Sequence, residues 1–482
     1  MKLNLFRWSF LSAAVLALWA CGGSKDDPVP EPETPKAILL SVESISAVQA
    51  GGEFSLTVTA PSRPTVSGQP DWVKVKDGIY HSDTYKITYA ITVERNNSTA
   101  RKATLSVKAG SLSQSIPVEQ EGLNIPPVDK AKIRKTPVNE SATAAARKLY
   151  TYLYDNYGKK TLSGVQSSES NTNDYVNAVF SVTGAHPALA GYDFIFLQFS
   201  PTPSNWTWVE DYTDISAQKE QWNAGGIVNY MWHWNAPKDE TTFRNNDASE
   251  GNYGFYCPGA HNGDGETYFD IREALKEGTW QHEFILADID EIAITLKKLQ
   301  DEDIPILFRP LHEAAGNYTR YNPEGGAWFW WGRYGASYCK QLWNLIQDRL
   351  QKVHGLNNIL WVWTMDVAPG YESAAAEWYP GDDRVDFVGF DVYEENTGAK
   401  TEAFNFMQTV TGGKKILTVS ECGNIPSPEE NLSAGLPWSW FMVWPTSNPV
   451  NINGYRLNTN AYWKSLMSSD FVYTRENMTL NK

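Results

Sequence analysis

The stretch Pro305-Ile306-Leu307-Phe308-Arg309-Pro310-Leu311-His312-Glu313 decides how the rest of the chain is read. Its continuous apolar run suits a strand buried on both faces of a parallel sheet, and three polar side chains, Arg309, His312 and Glu313, crowd its carboxyl end. A second run about a hundred residues on repeats the design: Ile416, Leu417 and Val419 lead to Glu421. In a barrel of parallel strands wrapped by helices, every strand delivers its carboxyl end to one mouth, where catalytic residues sit. Two carboxyl groups at such a mouth suit glycoside hydrolysis, one as acid and the other as nucleophile or base.

Working outward, buried-type runs alternate with helical stretches from about residue 140 onward. The expected strands are Thr161 to Gln166, Tyr192 to Leu197, Gly226 to His233, Pro305 to Glu313, Asn358 to Asp366, Asp386 to Tyr393, Lys415 to Glu421 and Ser439 to Trp444. Between them, Ile285, Ile289, Ile292, Leu296 and Leu299 mark one amphipathic helix, and Leu342, Leu345, Ile346 and Leu350 another. The fold class is therefore α/β, a (β/α)8 TIM barrel, with Glu313 closing strand four and Glu421 closing strand seven. A long insertion from Pro237 to Gln281, rich in Gly, Asn and Asp, follows the third strand and is expected to shape a cleft at the mouth.

A chain of 482 residues has room for a second domain. Lys2 and Arg7 precede an apolar run and then Ala20-Cys21, which reads as a lipoprotein signal peptide over residues 1–20, with Cys21 lipidated. Residues 21–36 form a Pro- and Glu-rich tether. At its start the acidic Ser24-Lys25-Asp26-Asp27 resembles the short signal that sends some lipoproteins to the outer surface, which implies an outer-membrane lipoprotein at the cell surface, the periplasmic face being the alternative. Residues 37–122 hold short period-two runs, Leu56 and Val58, Ile87 to Val93, Leu105 and Val107, Ile116 and Val118, as in a small all-β Ig-like sandwich. Pro126, Pro127 and Pro137 mark a linker over 123–140, leaving the barrel to residues 141–482.

Net charge is -15, from 41 Lys and Arg against 56 Asp and Glu, which disfavours nucleic acid as a partner. Of the 20 tryptophans, 17 lie between Trp206 and Trp463, a density that suits stacking on sugar rings in a polysaccharide substrate. With Cys21 modified, Cys257, Cys339 and Cys422 allow at most one disulfide, and no spacing resembles a zinc framework.

Asn229 to Asn235, Arg309 to Glu313, Trp328-Phe329-Trp330-Trp331-Gly332, Gly389 to Tyr393, Val419-Ser420-Glu421 and Trp440 to Trp444 follow one another in an order that resembles glycoside hydrolase family 26, the β-mannanase family. The eleven residues from Asn317 to Ala327 make a longer interval than the family pattern leads one to expect. The resemblance implies a retaining endo-β-1,4-mannanase in which Glu313 is the general acid/base and Glu421 the nucleophile. Tyr393 resembles the tyrosine that bonds the nucleophile, and His233 and His312 the pair that contacts hydroxyls of the cleaved sugar. Trp234 and Asp391 are further substrate-site candidates, Asp391 through orienting its neighbours. Trp444 is the expected sugar platform, and Trp331 the stacking residue beyond the scissile bond. Arg309 is expected to brace the strand-end carboxylates. Residues 37–122 resemble a BACON domain through Trp72-Val73, Asn97 to Leu105 and Val118 to Gly122, here read as a spacer rather than a sugar binder.

Other readings fit less well. His312-Glu313 would open a zinc-protease helix motif only with a second His at the position Gly316 occupies. Asn262 to Glu266 lacks calcium-loop spacing. No cofactor or metal is implied, and a monomer is expected. Another β-glycanase of the same family, acting on mixed-linkage β-glucan or β-1,3-xylan, and a non-catalytic surface glycan-binding lipoprotein are the alternatives.

Overall fold

The computed structural model describes residues 33–96, 100–122, 127–167, 171–199, 211–249, 251–261, 263, 265–316, 327–365, 376–444 and 457–480. The leader and Cys21, most of the tether, residues 97–99, 123–126, Asn262, Asp264, residues 317–326 and Asp366 lie outside them. The boundary between two compact units falls at Gln120 and Glu121.

The first unit is a sandwich of two four-stranded sheets. One orders Leu39–Leu40, Gly52–Thr59, Lys86–Val93 and Val73–Lys76; the other orders Ile45–Ala47, Leu112–Gln120, Arg101–Ala109 and Thr65–Ser67. Alternation in sequence becomes alternation in burial, with Leu56, Val58, Ile87, Tyr89, Leu105, Val107, Ile116 and Val118 facing inward. Trp72 packs against this core while the Arg101 guanidinium covers its ring at 4.4 Å, so that ring face is not open to a sugar.

The second unit is a closed barrel of eight parallel strands in chain order: Gly164–Gln166, Leu189–Asp193, Ile227–Met231, Ile306–Arg309, Ile359–Met365, Phe387–Val392, Ile416–Cys422 and Phe441–Val443. Val165 pairs with Val443 to close it. The second strand lies earlier than the Tyr192 to Leu197 reading. Its small residues mislead: Gly191 lets the Gln166 side chain of the neighbouring strand lie over it, where a Cβ would sit 2.0 Å from Gln166 Oε1, while the more apolar Leu197–Phe199 forms a 3-10 turn.

Outer helices bury the stripes read from sequence. In Trp280–Asp301, capped by Thr279, these are Ile285, Ile289, Ile292, Leu296 and Leu299; in Ala336–Asp348 Leu342 and Ile346 are buried as expected, Leu350 is buried in the turn that follows, and Leu345 is only half-buried while Trp343 takes an inward place. The barrel's lower interior is apolar, with Ile227, Leu307, Phe387, Ile416 and Trp440 packed on Leu149, Tyr150 and Leu153 of the helix Ala144–Asn156. Its upper interior holds Arg309, Thr364, Asp391 and Ser420, all buried.

Candidate active site

The fourth strand ends at Arg309, four residues before Glu313, rather than running through it. Pro310 has no N–H for a ladder, and beyond it Leu311 and Glu313 both take φ of 51°, the left-handed region rarely used by residues with a Cβ. Glu313 is therefore set on a tight turn at the mouth and is 8% exposed. Gly316 N–H returns to the Glu313 carbonyl at 2.8 Å.

Glu421 reaches the same place by an irregularity in strand seven. Phe390 pairs with Val419, but Asp391 pairs with Glu421, so Ser420 is an extra residue in the ladder. Successive strand residues normally point to opposite faces, and a bulge re-aims one of them. Here Ser420 Oγ donates to Asp391 Oδ1 at 2.7 Å, while the adjacent Glu421 joins the same network through Arg309.

Arg309 is the hub. Its Nη1 donates to Asp391 Oδ2 at 2.9 Å and its Nη2 to Glu421 Oε2, and it is 2% exposed. Tyr393 donates its hydroxyl to the other Glu421 oxygen, Oε1. Burial and the charge of Asp391 push the Glu421 carboxyl above its usual range, while the Arg309 guanidinium and the Tyr393 hydrogen bond pull it down. Both oxygens accept from donors, the arrangement that suits an ionised carboxylate. Oxygens of Glu313, Asp391 and Glu421 lie within 4.8 Å of one another. That spacing falls on the side of retaining glycosidases, about 5–5.5 Å between carboxyl groups, and well short of the ~6.5–9.5 Å of inverting ones.

Beside the carboxylates, His312 Nε2 and His233 Nε2 stand 3.2 Å apart, and His233 Nδ1 meets Asp193 Oδ2 at 2.5 Å. Burial, with His233 and Arg309 nearby, lowers the His312 pKa well below the ordinary imidazole value, so this ring is neutral. Trp444 is half-buried at the end of strand eight, its backbone N–H on the Cys422 carbonyl at 2.9 Å and its ring 5.4 Å from that of His233.

Two substrate-site expectations are corrected. Trp234 is 1% exposed, stacks on Trp232 at 3.9 Å and donates its indole N–H to Asp288, so it is a core residue behind the site. Trp331 is fully buried, stacked on Phe329 at 4.5 Å with its N–H on the His312 carbonyl at 2.9 Å, which leaves no face for a sugar. It acts as a strut under His312. Asp391 likewise has a fully buried side chain and bonds Arg309 and Ser420, so it orients its neighbours. Asp193 was missed; a single acidic residue closing an apolar strand was the available signal. The insertion after strand three does meet the mouth: Trp330 N–H donates to the Phe255 carbonyl at 3.1 Å, and the Phe255 ring lies 5.0 Å from that of His233.

Comparison with known proteins agrees with this geometry. Residues 138–477 match the model of glycosyl hydrolase family 26, and residues 55–121 match BACON, a putative N-terminal binding domain. A mannan endo-1,4-beta-mannosidase of Thermothelomyces thermophilus is 36% identical over 352 residues, 72% of this chain and 64% of the relative. Mannan endo-1,4-beta-mannosidase B of a Piromyces species is 33% identical over 321 residues, 65% of this chain and 49% of the relative. The chain thus spans about half to two thirds of the length of these curated relatives. Among solved structures, a β-mannanase from a symbiotic protist of the termite Reticulitermes speratus, complexed with gluco-manno-oligosaccharide, shares 34% identity at a TM-score of 0.60, covering 72% of this chain and 98% of that one. The family 26 domain of an endo-beta-mannanase/endo-beta-glucanase from Prevotella bryantii shares 32% at a TM-score of 0.61, covering 72% of this chain and all of that one. With nearly the whole barrel matched, from Val138 to Asn477, the chain belongs to glycosyl hydrolase family 26.

Proposed function

We propose that this protein is a retaining endo-β-1,4-mannanase acting on β-mannan, galactomannan or glucomannan. The observation that carries the reading is the meeting of Glu313 and Glu421 at the barrel mouth, their oxygens within 4.8 Å and both oxygens of Glu421 held, by Arg309 and by Tyr393. Glu421, held by donors on both oxygens, attacks the anomeric carbon. Glu313 gives its proton to the departing glycosidic oxygen, so the bond breaks and a glycosyl ester forms on Glu421. Glu313, now a carboxylate, then takes a proton from water as that water attacks the same carbon; the ester breaks and both glutamates return to their starting states. The names of the relatives support mannan as the substrate.

Galactomannan, glucomannan, lichenan and xylan assayed side by side test the substrate. Reducing ends are expected from the two mannans, whereas release from lichenan or xylan alone overturns the choice. Glu421→Ala should lower turnover by more than about a thousandfold while mannohexaose still binds, since a nucleophile is lost and the cleft is not. Wild-type turnover in that variant removes Glu421 from the mechanism.

The same proposal places the enzyme as a monomer on the outer membrane, anchored through lipid at Cys21. Support comes from the charged start, the short apolar run and Ala20-Cys21. Among the described residues no helix is long and apolar enough to cross a membrane. Radiolabelled fatty acid should enter the protein in cells and be lost with Cys21→Ser; equal labelling of both forms rejects the anchor.

A further inference from the structure

The two histidines beside the carboxylates pose a question of proton placement. Their Nε2 atoms are 3.2 Å apart, so one carries hydrogen and the other does not. His312 is 1% exposed and neutral, hence has a single N–H, and its Nδ1 has no partner among the described residues. A buried N–H without an acceptor costs more than a bare ring nitrogen, which puts the proton on Nε2, aimed at His233. His233 Nε2 must then be bare and its own hydrogen must sit on Nδ1. From the other end Asp193 demands the same. Its carboxylate accepts the His233 backbone N–H on Oδ1 at 2.9 Å and faces Nδ1 with Oδ2 at 2.5 Å. Donation therefore runs one way, from His312 to His233 to Asp193.

The next residue after His312 is Glu313, on a backbone of φ 51° flanked by Leu311 at the same value. Such backbone persists only where its surroundings over-determine it. His312 is pinned twice, at its ring by His233 and at its carbonyl by the Trp331 N–H. We propose that Asp193 is a positioning residue for the acid Glu313, acting through the hydrogen bond that His312 donates to His233 and that seats the strained turn. This inference rests on Glu313 being the general acid, as proposed above.

Asp193→Asn tests it sharply. The amide oxygen keeps the His233 backbone N–H, which turns the NH2 group toward Nδ1 and forces the His233 hydrogen onto Nε2, against His312. Asp193→Ala removes the constraint without reversing it. With mannopentaose, kcat/KM should fall about tenfold or more for the Asn variant and less for the Ala variant, because general-acid positioning is what is lost. With 2,4-dinitrophenyl β-mannobioside, whose leaving group needs no proton, kcat/KM should stay within about twofold of wild type in both variants. Equal losses on both substrates, or Ala worse than Asn, would mean that Asp193 only holds the fold, and would overturn the inference. The proton direction is read separately in 15N-histidine-labelled wild-type protein, which needs neither variant nor substrate. A bare His233 Nε2 and a bare His312 Nδ1 are expected, and hydrogen on His233 Nε2 overturns the proposal. Wild-type protein inactive on every mannan, but with these proton positions, would instead sink the mannanase reading alone.

Discussion

Glu313 holds a backbone conformation that costs a residue with a Cβ on the order of 1–3 kcal/mol, and Leu311 two positions earlier holds it again. The cost buries the Glu313 carboxyl beside that of Glu421 instead of leaving it at the end of a straight strand. Arg309 makes the complementary contribution by standing between Asp391 and Glu421 as a planar fork. Arg309→Lys keeps the charge but cannot hold both carboxylates. With less cation at Oε2, Glu421 keeps its proton to higher pH, so the acidic limb of the kcat/KM profile should move upward and kcat should fall at least about tenfold. A profile with an unmoved acidic limb would show that Arg309 does not tune the nucleophile. At this scale Glu313 and Glu421 were legible because each closes an apolar run, and Tyr393 through the family resemblance. Trp234 and Trp331 were not, since tryptophan density is visible in a sequence but the direction of each ring is not. Asp193 escaped because its role depends on a histidine forty residues away.

Secondary elements place these residues through departures from regularity. The eight strands and main helices could be read from periodicity, but strand two was displaced because the apolar Phe194 to Leu197 outweighed the glycine-containing segment that pairs. The extra residue at Ser420 was invisible, since a bulge changes pairing and leaves composition alone. Behind the site, the helix Trp280–Asp301 carries the half-buried Asp288, which accepts the Trp234 indole N–H at 2.8 Å. Burial pushes this carboxyl up to about 8. The folded state thus holds a proton that the unfolded chain releases near its ordinary pKa of about 4, so this group's contribution is full below that pH and is lost as pH rises toward 8. Asp288→Asn keeps an acceptor for Trp234 without the titration. Denaturant midpoints at pH 5 and pH 8 should therefore differ less in the variant than in wild type. An unchanged difference would place the pH dependence elsewhere.

The whole molecule is two compact units with separate cores. Units of that kind unfold as separate transitions and tolerate removal of a neighbour. Deleting residues 1–122 should leave kcat/KM on mannopentaose within about twofold of the full chain and remove one calorimetric transition. A single transition in the full chain would contradict the independence of the units. The domain order was legible from the change of period at the proline-rich linker, whereas the closing of the barrel floor by the helix Ala144–Asn156 was not, because that contact is set by tertiary packing. One feature of the barrel reaches beyond catalysis. Cys257, Cys339 and Cys422 are free and buried; burial pushes the first two thiols up to about 12 and the third well above its ordinary value. None offers a thiolate to solvent at neutral pH. The barrel should therefore fold without help from oxidoreductases and work equally well whether its surroundings are oxidising or reducing.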